Sequence, residues 1–230
     1  MKAGVLVLAG GSGTRLGAAT NKVYLPLAGR SVIAHSLLRF AATPGVERLV
    51  LVARPSDHEL VRAVLDELPP DRVEVVAGGS NRHLSELAGL RHLAAAITAG
   101  DLDVVAIHDG ARPLVTRELI SKVLATAAEQ GGAIPGIPVT DLVAKDDLHT
   151  DLTEAGGTLV RVQTPQAFRA AELLDAYERS AAEDFAGTDT SACVEKFTDL
   201  TVVCVPGDPG NLKVTYAADL PLAEELLSQR

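Results

Sequence analysis

Short runs of apolar residues alternate along this chain with longer segments in which apolar residues recur at helical spacing. The short runs are nearly continuous in Val, Ile and Leu, which is typical of strands covered on both faces of a parallel sheet. The predicted strands are GVLVLAG, VERLVLVA, VEVVAGG, DVVAIHDGA, GGAIPGIPV and LTVVCVPG. The predicted helices between them are RSVIAHSLLRFAA, SDHELVRAVLDEL, NRHLSELAGLRHLAAAI and TRELISKVLATAAEQ. This alternation predicts an α/β fold with a doubly wound, mostly parallel sheet.

Two of the predicted helices begin with a residue suited to capping. Ser56 precedes the second helix and Thr116 precedes the fourth. Hydroxyl oxygens at these positions accept hydrogen bonds from the free backbone N–H groups of a first helical turn. In sheets of this kind, ligands bind outside the carboxyl ends of the strands, so we expect the functional residues there.

The segment 138–163 departs from the alternation. Its sequence, PVTDLVAKDDLHTDLTEAGGTLVRVQ, alternates weakly between apolar and polar residues and contains AGG as a turn signal. It predicts either a hairpin that projects from the sheet or a long surface excursion. The length of 230 residues fits one large domain, and we predict a single domain over 1–230.

The chain is acidic, with 21 Lys and Arg residues against 30 Asp and Glu residues and a formal net charge of −9. This balance argues against a general binder of nucleic acid or of anionic membranes, because both attract a cationic surface. Any anionic ligand must therefore be met by a local cluster of cations.

The cysteines and the N-terminal sequence indicate a cytoplasmic protein. Cys193 and Cys204 are too few for a disulfide scaffold and lack zinc-site spacing; we predict Cys204 to be a core thiol and Cys193 to lie in a helix. The apolar run near the N-terminus is too short for a signal peptide, and no run reaches the roughly 18 residues of a membrane span.

The first predicted strand runs directly into a glycine-rich loop, in which Gly10, Gly11 and Gly13 are followed by Arg15. A loop with few side chains lets phosphate approach the backbone closely. The P-loop pattern is absent, and the dinucleotide fingerprint lacks its third glycine and its acidic residue. Together with Lys22, the loop predicts a polyphosphate site; a tight turn with two solvated cations is the alternative.

The opening residues, LAGGSGTRLG and NKVYLPLAGRSVIAHSL, resemble those of nucleotidyltransferases that join a sugar phosphate to a nucleoside monophosphate. Five further motifs narrow the resemblance to the family of 2-C-methyl-D-erythritol 4-phosphate and ribitol-5-phosphate cytidylyltransferases. They are VVAGGSNRHLSELAGL, IHDGARPLV, VQTPQAF, GTDTSACVE and GNLKVTYAADLPLAEELL, in the family's order. The resemblance covers essentially the whole chain. It implies a Rossmann-like sheet of the nucleotide-diphospho-sugar transferase type, with 138–163 as a projecting β-arm that forms a homodimer contact.

The resemblance implies transfer of CMP from CTP to a polyol phosphate, with release of pyrophosphate. The leading acceptor is 2-C-methyl-D-erythritol 4-phosphate, and ribitol 5-phosphate or another polyol phosphate is the alternative. Arg15, Lys22 and Lys213 would be the catalytic cations that stabilise the pentacoordinate phosphorus and the leaving pyrophosphate; for Lys213 the alternative is a strand-edge lysine. The implied cofactor is Mg²⁺, held mainly by the CTP phosphates, with no certain protein ligand.

The resemblance also assigns binding residues. Backbone groups of the opening loop would contact the phosphates, and a second stretch would contact cytosine. One acid would bind hydroxyls of the ribose or of the acceptor, or assist the metal. These nucleotide-binding residues are Ala9, Gly10, Gly11, Gly13, Gly79, Ser80, Ser85 and Asp109. The acceptor would be bound by Asp109, Arg112 and Thr164. For Ser85 the alternative is an exposed helix serine; His108 is interpreted as a packed histidine and Asp189 as a helix N-terminal acid.

Two departures from the family pattern fall in the 138–163 segment. Leu142 replaces a threonine that is expected to touch the acceptor, and Gly156 stands where the family has an arginine for the acceptor's phosphate; Arg161 is the nearest cation. Both changes concern the acceptor and neither concerns CTP.

Two other functions stay open at this point. One is a catalytically silent nucleotide-binding paralogue, although the three catalytic cations are retained. The other is a sugar-1-phosphate nucleotidyltransferase that uses another base, which would share the glycine loop but lack QTPQ and GNLKVT.

Overall fold

A computed structural model describes residues 1–10, 21–140, 143–145, 152–154, 159–183, 185, 187 and 189–229. Five residues singled out in the sequence lie outside the described residues, and their predicted roles stay predictions. They are Gly11, Gly13, Arg15, Leu142 and Gly156.

The described residues form an alternation of strands and helices. The strands are β1 Ala3–Leu8, β2 Pro26–Leu27, β3 Arg30–Ser31, β4 Val46–Ala53, β5 Glu74–Ala77, β6 Val104–Asp109, β7 Gly131–Val139, β8 Val143–Lys145, β9 Leu152–Glu154, β10 Leu159–Val162, β11 Gln166–Arg169 and β12 Thr201–Pro206. The helices are α1 Val32–Ala41, α2 His58–Asp66, α3 Arg82–Thr98, α4 Arg117–Gln130, α5 Ala170–Ala182, α6 Thr190–Phe197 and α7 Asp219–Ser228. In this part of the chain, none of the helices combines the length and the apolar character needed to cross a bilayer.

The main sheet has eight strands in the order β10-β7-β11-β6-β1-β4-β5, with β12 paired to β7. The pairs β1–β4, β1–β6, β4–β5 and β7–β12 are parallel, whereas β11 and β10 run antiparallel to their neighbours. The predicted doubly wound, mostly parallel sheet is therefore confirmed. The chain builds outward from β1 to β4 and β5 and then returns to β6 on the other side of β1, so the strand order reverses between β1 and β6.

Both faces of the sheet are covered by helices, as the continuous apolar strands predict. Alternate residues of β1 point to opposite faces: Val5 and Val7 belong to one core cluster, and Leu6 and Leu8 belong to the other. The first cluster contains residues of α1, α2 and α4, and the second contains residues of α3, α5 and α6. The site residues at the strand ends are thus carried by a sheet that is packed on both sides.

Two local predictions are wrong. Cys204 is exposed rather than a core thiol, because β12 pairs with β7 and with no other strand among the described residues, and most of its residues reach the surface. Ser56 does not cap α2; Asp57 is the N-cap, and the Ser56 hydroxyl donates to its carboxylate at 3.1 Å. The Thr116 cap of α4 is confirmed, since its hydroxyl oxygen accepts from the N–H of Leu119 at 3.2 Å.

The segment 138–163 begins and ends inside the main sheet. Leu159 and Val160 of β10 pair antiparallel with Val139 and Pro138 of β7. Between these strands, β8 and β9 form a separate antiparallel two-stranded sheet. The role of this segment as a projecting dimerisation arm stays a prediction.

Candidate active site

The two ends of the opening glycine-rich loop lie side by side at the carboxyl end of β1. Ala9 extends the ladder beyond β1, since its N–H donates to the carbonyl oxygen of Val52 at 2.8 Å. The buried side chain of Asn21 donates through Nδ2 to the carbonyl oxygen of Ala9 at 2.5 Å, and its Oδ1 accepts from the N–H of Val23. Asn21 therefore closes the base of the loop and caps the 3-10 turn Lys22–Tyr24, which begins with a predicted catalytic lysine. Asn21 was not predicted as a site residue, although asparagine is a common cap residue.

The predicted cytosine-binding stretch lies directly beside this loop. Ser85, in the first turns of α3, is buried, and its hydroxyl donates to the carbonyl oxygen of Asn81 at 2.8 Å. A Cβ atom added at Gly10 would lie 3.4 Å from Ser85 Oγ, and one added at Gly78 would lie 2.9 Å from it. Ser85 thus stands between the opening loop and the β5–α3 connection, and the alternative of an exposed helix serine is wrong.

The connection from β5 to α3 is tight. A Cβ atom at Gly79 would overlap the Cβ of Leu84 and approach the Leu84 carbonyl oxygen at 3.1 Å. Asn81 caps α3 by accepting from the N–H of Leu84 at 2.8 Å. The backbone of Gly79 and of the exposed Ser80 is consequently held in one path at the start of α3.

Asp109 stands at the carboxyl end of β6, opposite Leu8 of β1. Its carboxylate is 9% exposed; Oδ2 accepts from Lys213 Nζ at 2.6 Å, and Oδ1 accepts from Arg82 Nη1. Burial alone would raise the pKa of Asp109, but the two cations outweigh burial, so the pKa lies well below its ordinary value. Asp109 is therefore an ionised acceptor at neutral pH.

Lys213 is placed by the residues on either side of it. Asn211 and Val214 are both fully buried, and the N–H of Val214 donates to the carbonyl oxygen of Ala111 at 2.8 Å. This anchors the chain between β12 and α7 against the segment that follows Asp109. The alternative of a strand-edge lysine is wrong, because Lys213 lies outside the strands.

Arg112 and Thr164, the predicted acceptor-binding residues, both belong to a buried network next to Asp109. Arg112 Nη1 donates to the carbonyl oxygen of Asn211 at 2.8 Å, and its Nε is buried without a hydrogen-bond partner among the described residues. Thr164 Oγ1 accepts from the N–H of Asp109 at 3.0 Å, and its carbonyl oxygen accepts from Asn211 Nδ2 at 2.9 Å. The structure brings both side chains to the site, and their contact with an acceptor stays a prediction.

His108 is fully buried behind the site. Its Nε2 lies 3.2 Å from the carbonyl oxygen of Arg112, and its Nδ1 lies 3.1 Å from Thr164 Oγ1. Since a carbonyl can only accept, Nε2 carries the hydrogen and Nδ1 accepts from the threonine hydroxyl. Burial lowers the pKa of His108 to about 3, so the ring is neutral. This agrees with the interpretation of His108 as a packed, hydrogen-bonded histidine.

Asp189 caps α6, as its interpretation as a helix N-terminal acid predicts. One carboxylate oxygen accepts from the N–H of Ala192 at 3.0 Å, and the other accepts from Gln166 Nε2 at 3.2 Å. The cap therefore links the start of α6 to β11.

Arg82 is the site residue that the sequence analysis missed most clearly. It begins α3, and its guanidinium donates to Asp109 through Nη1 and to Glu86 through Nε at 2.8 Å. The spacing of Arg82 and Glu86 is that of an ion pair along a helix, which was visible in the sequence. The second ion pair, between Arg82 and Asp109, could be recognised only from the fold, which brings the start of α3 next to the end of β6.

Glycine backbone, a carboxylate and two cations thus meet at the carboxyl ends of β1, β5 and β6, where the strand order reverses. Open α/β sheets bind nucleotides at this place. Cations and free backbone N–H groups neutralise phosphate oxygens, and an ionised carboxylate accepts from sugar hydroxyls. The fold and the site define a nucleotide-dependent transferase of the α/β class.

Comparisons with known proteins give the particular family. The profile of IspD, 2-C-methyl-D-erythritol 4-phosphate cytidylyltransferase, matches residues 3–229. The cytidylyltransferase of that name from Solibacter usitatus is 37% identical over an alignment 242 residues long, gaps included, which covers 100% of this chain and 97% of the relative. The 2-C-methyl-D-erythritol 4-phosphate cytidylyltransferase from Cereibacter sphaeroides is 38% identical over 229 residues, which cover 99% of this chain and 98% of that relative. This chain belongs to the 2-C-methyl-D-erythritol 4-phosphate cytidylyltransferase family, whose members are nucleotidyltransferases.

Solved structures agree with this assignment. The crystal structure of 4-diphosphocytidyl-2C-methyl-D-erythritol synthase from Anaerococcus prevotii has a TM-score of 0.83 and 26% identity, covering 100% of this chain and 96% of that chain. The 2-C-methyl-D-erythritol 4-phosphate cytidylyltransferase from Thermus thermophilus has a TM-score of 0.72 and 26% identity, covering 99% and 100%.

Proposed function

We propose that this chain transfers the CMP group of CTP to 2-C-methyl-D-erythritol 4-phosphate in isoprenoid precursor synthesis. An oxygen of the acceptor phosphate forms a bond to the α-phosphorus of CTP. The bond from that phosphorus to the bridging oxygen of the β-phosphate breaks, and pyrophosphate leaves. The observation that carries the proposal is the pairing of Asp109 with Lys213 and Arg82 beside the opening loop, in a chain of this family.

The main requirement of this reaction is to bring two anions together and to stabilise the charge of the transition state. Lys213 is suited to this task because its side chain is 41% exposed while its ammonium is held at the end of β6. Lys22 begins the turn at the base of the opening loop, and Arg15 lies within that loop. In the proposal these three cations contact the α-phosphate and the leaving pyrophosphate.

The nucleotide would be held between the opening loop and the β5–α3 connection. The backbone of Ala9 and Gly10 would approach the phosphates, and the backbone of Gly79 and Ser80 would approach the cytosine. The Ser85 hydroxyl stands between these two segments, where its oxygen can accept from a base amino group. The tight contact of Gly79 with Leu84 holds this stretch of backbone against the start of α3, where in the proposal it meets the base.

The acceptor would lie on the Arg112 and Thr164 side of Asp109. The buried Nε of Arg112, which has no hydrogen-bond partner in the described part of the chain, supports this placement, because a buried donor without a partner costs free energy that a ligand oxygen or a water molecule offsets. The choice of acceptor rests on the names of the relatives, since Leu142 and Gly156 lie outside the described residues.

Mg²⁺ is included as the metal that accompanies CTP. Among the described residues, no group of three or more His, Cys, Asp or Glu side chains is arranged to hold a metal ion. Both oxygens of Asp109 are engaged by Lys213 and Arg82. This donor set fits a metal ion held mainly by phosphate oxygens and water, as Mg²⁺ usually is. Bound there, Mg²⁺ would supply further neutralisation of the triphosphate.

A homodimer and a cytoplasmic location complete the proposal. The separate two-stranded sheet of β8 and β9 supports a dimerisation arm, because this pair has its own ladder outside the main sheet. The need for CTP supports the location, since nucleoside triphosphates are made and used inside the cell. Sedimentation equilibrium of the purified chain would test the dimer.

Pyrophosphate release tests the function directly. The chain is incubated with Mg²⁺, CTP and either 2-C-methyl-D-erythritol 4-phosphate or ribitol 5-phosphate, with UTP, GTP and ATP as alternative donors. We expect release with CTP and the erythritol phosphate, and a much lower rate with each other combination. Preference for ribitol 5-phosphate would contradict the acceptor assignment, and CTP binding without release would favour a silent paralogue.

A further inference from the structure

Behind Asp109 and Arg82 lies a buried carboxylate. Glu86, one helical turn after Arg82 in α3, is 1% exposed. Its Oε1 accepts from Arg82 Nε at 2.8 Å and from Thr190 Oγ1 at 3.1 Å, and its Oε2 accepts from the Tyr177 hydroxyl at 2.5 Å. Donors from α3, α5 and α6 therefore converge on this one side chain.

Burial raises the pKa of Glu86, and Arg82 together with the hydrogen bonds from Tyr177 and Thr190 opposes that rise. A carboxylate at this depth is costly to bury unless it is paired with a cation and hydrogen-bonded. The inward-facing residues that follow on α3, Leu90 and Leu93, are fully buried and apolar. A side chain of similar volume without charge would pack among them with no desolvation cost. Packing therefore does not explain a glutamate here, and its contacts do.

Arg82 is held at two points by two acids on different elements. Glu86 takes Nε, and Asp109 takes Nη1. The guanidinium is planar and rigid, so fixing one of its nitrogens fixes the direction in which the others point. The position of Glu86 consequently determines how Arg82 meets Asp109 at the end of β6.

Tyr177 and Thr190 in turn hold Glu86. Tyr177 is fully buried, and burial together with the neighbouring Glu86 raises its pKa well above the ordinary value, so its hydroxyl stays a donor. Thr190 is the first residue of α6 and is also fully buried. The carboxylate is thus fixed from the side opposite to Arg82.

We propose that Glu86 is a positioning residue: fixed by Tyr177 and Thr190, it orients Arg82 so that the Asp109 carboxylate is held in place beside Lys213. Glu86 itself lies behind the site and acts only through Arg82. The consequence for turnover rests on the proposed function, because Asp109 and Lys213 are the groups placed against the substrates there.

Two substitutions of Glu86 separate positioning from packing. Glu86→Met removes both acceptor oxygens and keeps an apolar side chain of similar length, whereas Glu86→Gln keeps an acceptor oxygen for Arg82. Positioning predicts that kcat falls about tenfold to a hundredfold in Glu86→Met and that Glu86→Gln recovers most of it, with KM for CTP within about threefold in both. Equal kcat values for the two variants would overturn the proposal.

Tyr177→Phe gives a second route, should Glu86→Met not fold. It removes one donor to Glu86 and leaves the carboxylate and the ring packing, so we expect a smaller fall in kcat with the same unchanged KM. Ser180→Ala is the matched control, because it removes hydrogen bonds of 2.8 Å to His83 and to the backbone carbonyl oxygen of Tyr177 in the same α3–α5 interface, while the Tyr177 hydroxyl and its bond to Glu86 remain. Its kcat should stay within about twofold of the original.

A double-mutant cycle tests the route through Arg82. If Glu86 acts by orienting Arg82, the effect of Glu86→Met on kcat should shrink to within about twofold in an Arg82→Gln background. The same fall in kcat with and without Arg82 would refute the proposal.

Crystal structures of the original chain and of Glu86→Met test whether Glu86 orients Arg82 without any measurement of activity. We expect the Arg82 guanidinium to leave Asp109 in the variant while the backbones of α3, α5 and α6 superpose. An unchanged Arg82–Asp109 contact would overturn the proposal even if turnover falls. A chain that releases no pyrophosphate at all would refute the proposed function, and the same pair of structures would still decide the role of Glu86.

Discussion

Lys213→Ala separates catalysis from stability at the candidate site. The side chain of Lys213 is 41% exposed, and its partner Asp109 is also paired with Arg82. Removing the lysine therefore leaves the buried carboxylate with one cation. The buried residues Asn211 and Val214, which place position 213, are unaffected by the substitution.

The two quantities are measured separately. Lys213 is partly exposed, but its partner Asp109 is buried and keeps Arg82 after the substitution, so the free energy of unfolding of Lys213→Ala should fall by about 1–3 kcal/mol. A group that stabilises charge in the transition state contributes about 2.7–4 kcal/mol, so kcat should fall about a hundredfold to a thousandfold. Substrate contacts made equally before and during the reaction would instead raise KM and leave kcat unchanged.

Urea unfolding followed by circular dichroism measures the first quantity, and pyrophosphate release with CTP, Mg²⁺ and 2-C-methyl-D-erythritol 4-phosphate measures the second. Lys122→Ala is the matched control, because it removes the same charge from an exposed position on α4. Turnover of Lys213→Ala within about tenfold of the original would refute the assignment of Lys213 as a catalytic cation. A loss of several kcal/mol in stability would instead show that Lys213 mainly supports the fold.

Three further substitutions test other parts of the site. Gly79→Ala should lower the free energy of unfolding by about 1–3 kcal/mol, because the added Cβ overlaps Leu84; chemical denaturation measures it. Asn21→Ala should raise KM for CTP and cost about 1–2 kcal/mol of stability, since it leaves the buried carbonyl of Ala9 without its donor; a normal KM would contradict the closure of the loop by Asn21. Asp109→Asn should cost about 3 kcal/mol of stability at neutral pH, because Lys213 and Arg82 both lose the buried charge that they share. The pKa of Asp109 is lower in the folded chain than in the unfolded chain, so its contribution is present above about pH 4 and is lost as the pH falls. Melting temperatures between pH 7 and pH 3 should therefore fall less steeply in Asp109→Asn than in the original chain.

Features that depend on neighbouring residues in the sequence were predictable. The apolar run of β1 predicted a strand covered on both faces, and Val5 and Leu6 do lie in different core clusters. The end of β6 at Asp109 followed from the same pattern and placed an acid where ligands bind. Thr116 was recognisable as a cap because capping joins residues three positions apart.

Features that depend on distant residues were not predictable. Arg82 and Glu86 are visible as a helical ion pair, which is most often a solvated feature of a helix surface. The burial of Glu86 is produced by Tyr177 and Thr190, which lie 91 and 104 positions further along the chain. The exposure of Cys204 has the same origin, since only the strand order shows that β12 is attached to the sheet through β7.

The alternation of charges at the site explains how a chain with a net charge of −9 can present cations to a triphosphate. Arg82 and Lys213 would repel each other if they were placed together without an acid between them. Asp109 lies between them and binds both, so the two cations are held close together before any nucleotide arrives. Glu86 balances Arg82 on the buried side, which leaves the exposed ammonium of Lys213 as the cation of this cluster best able to meet a phosphate.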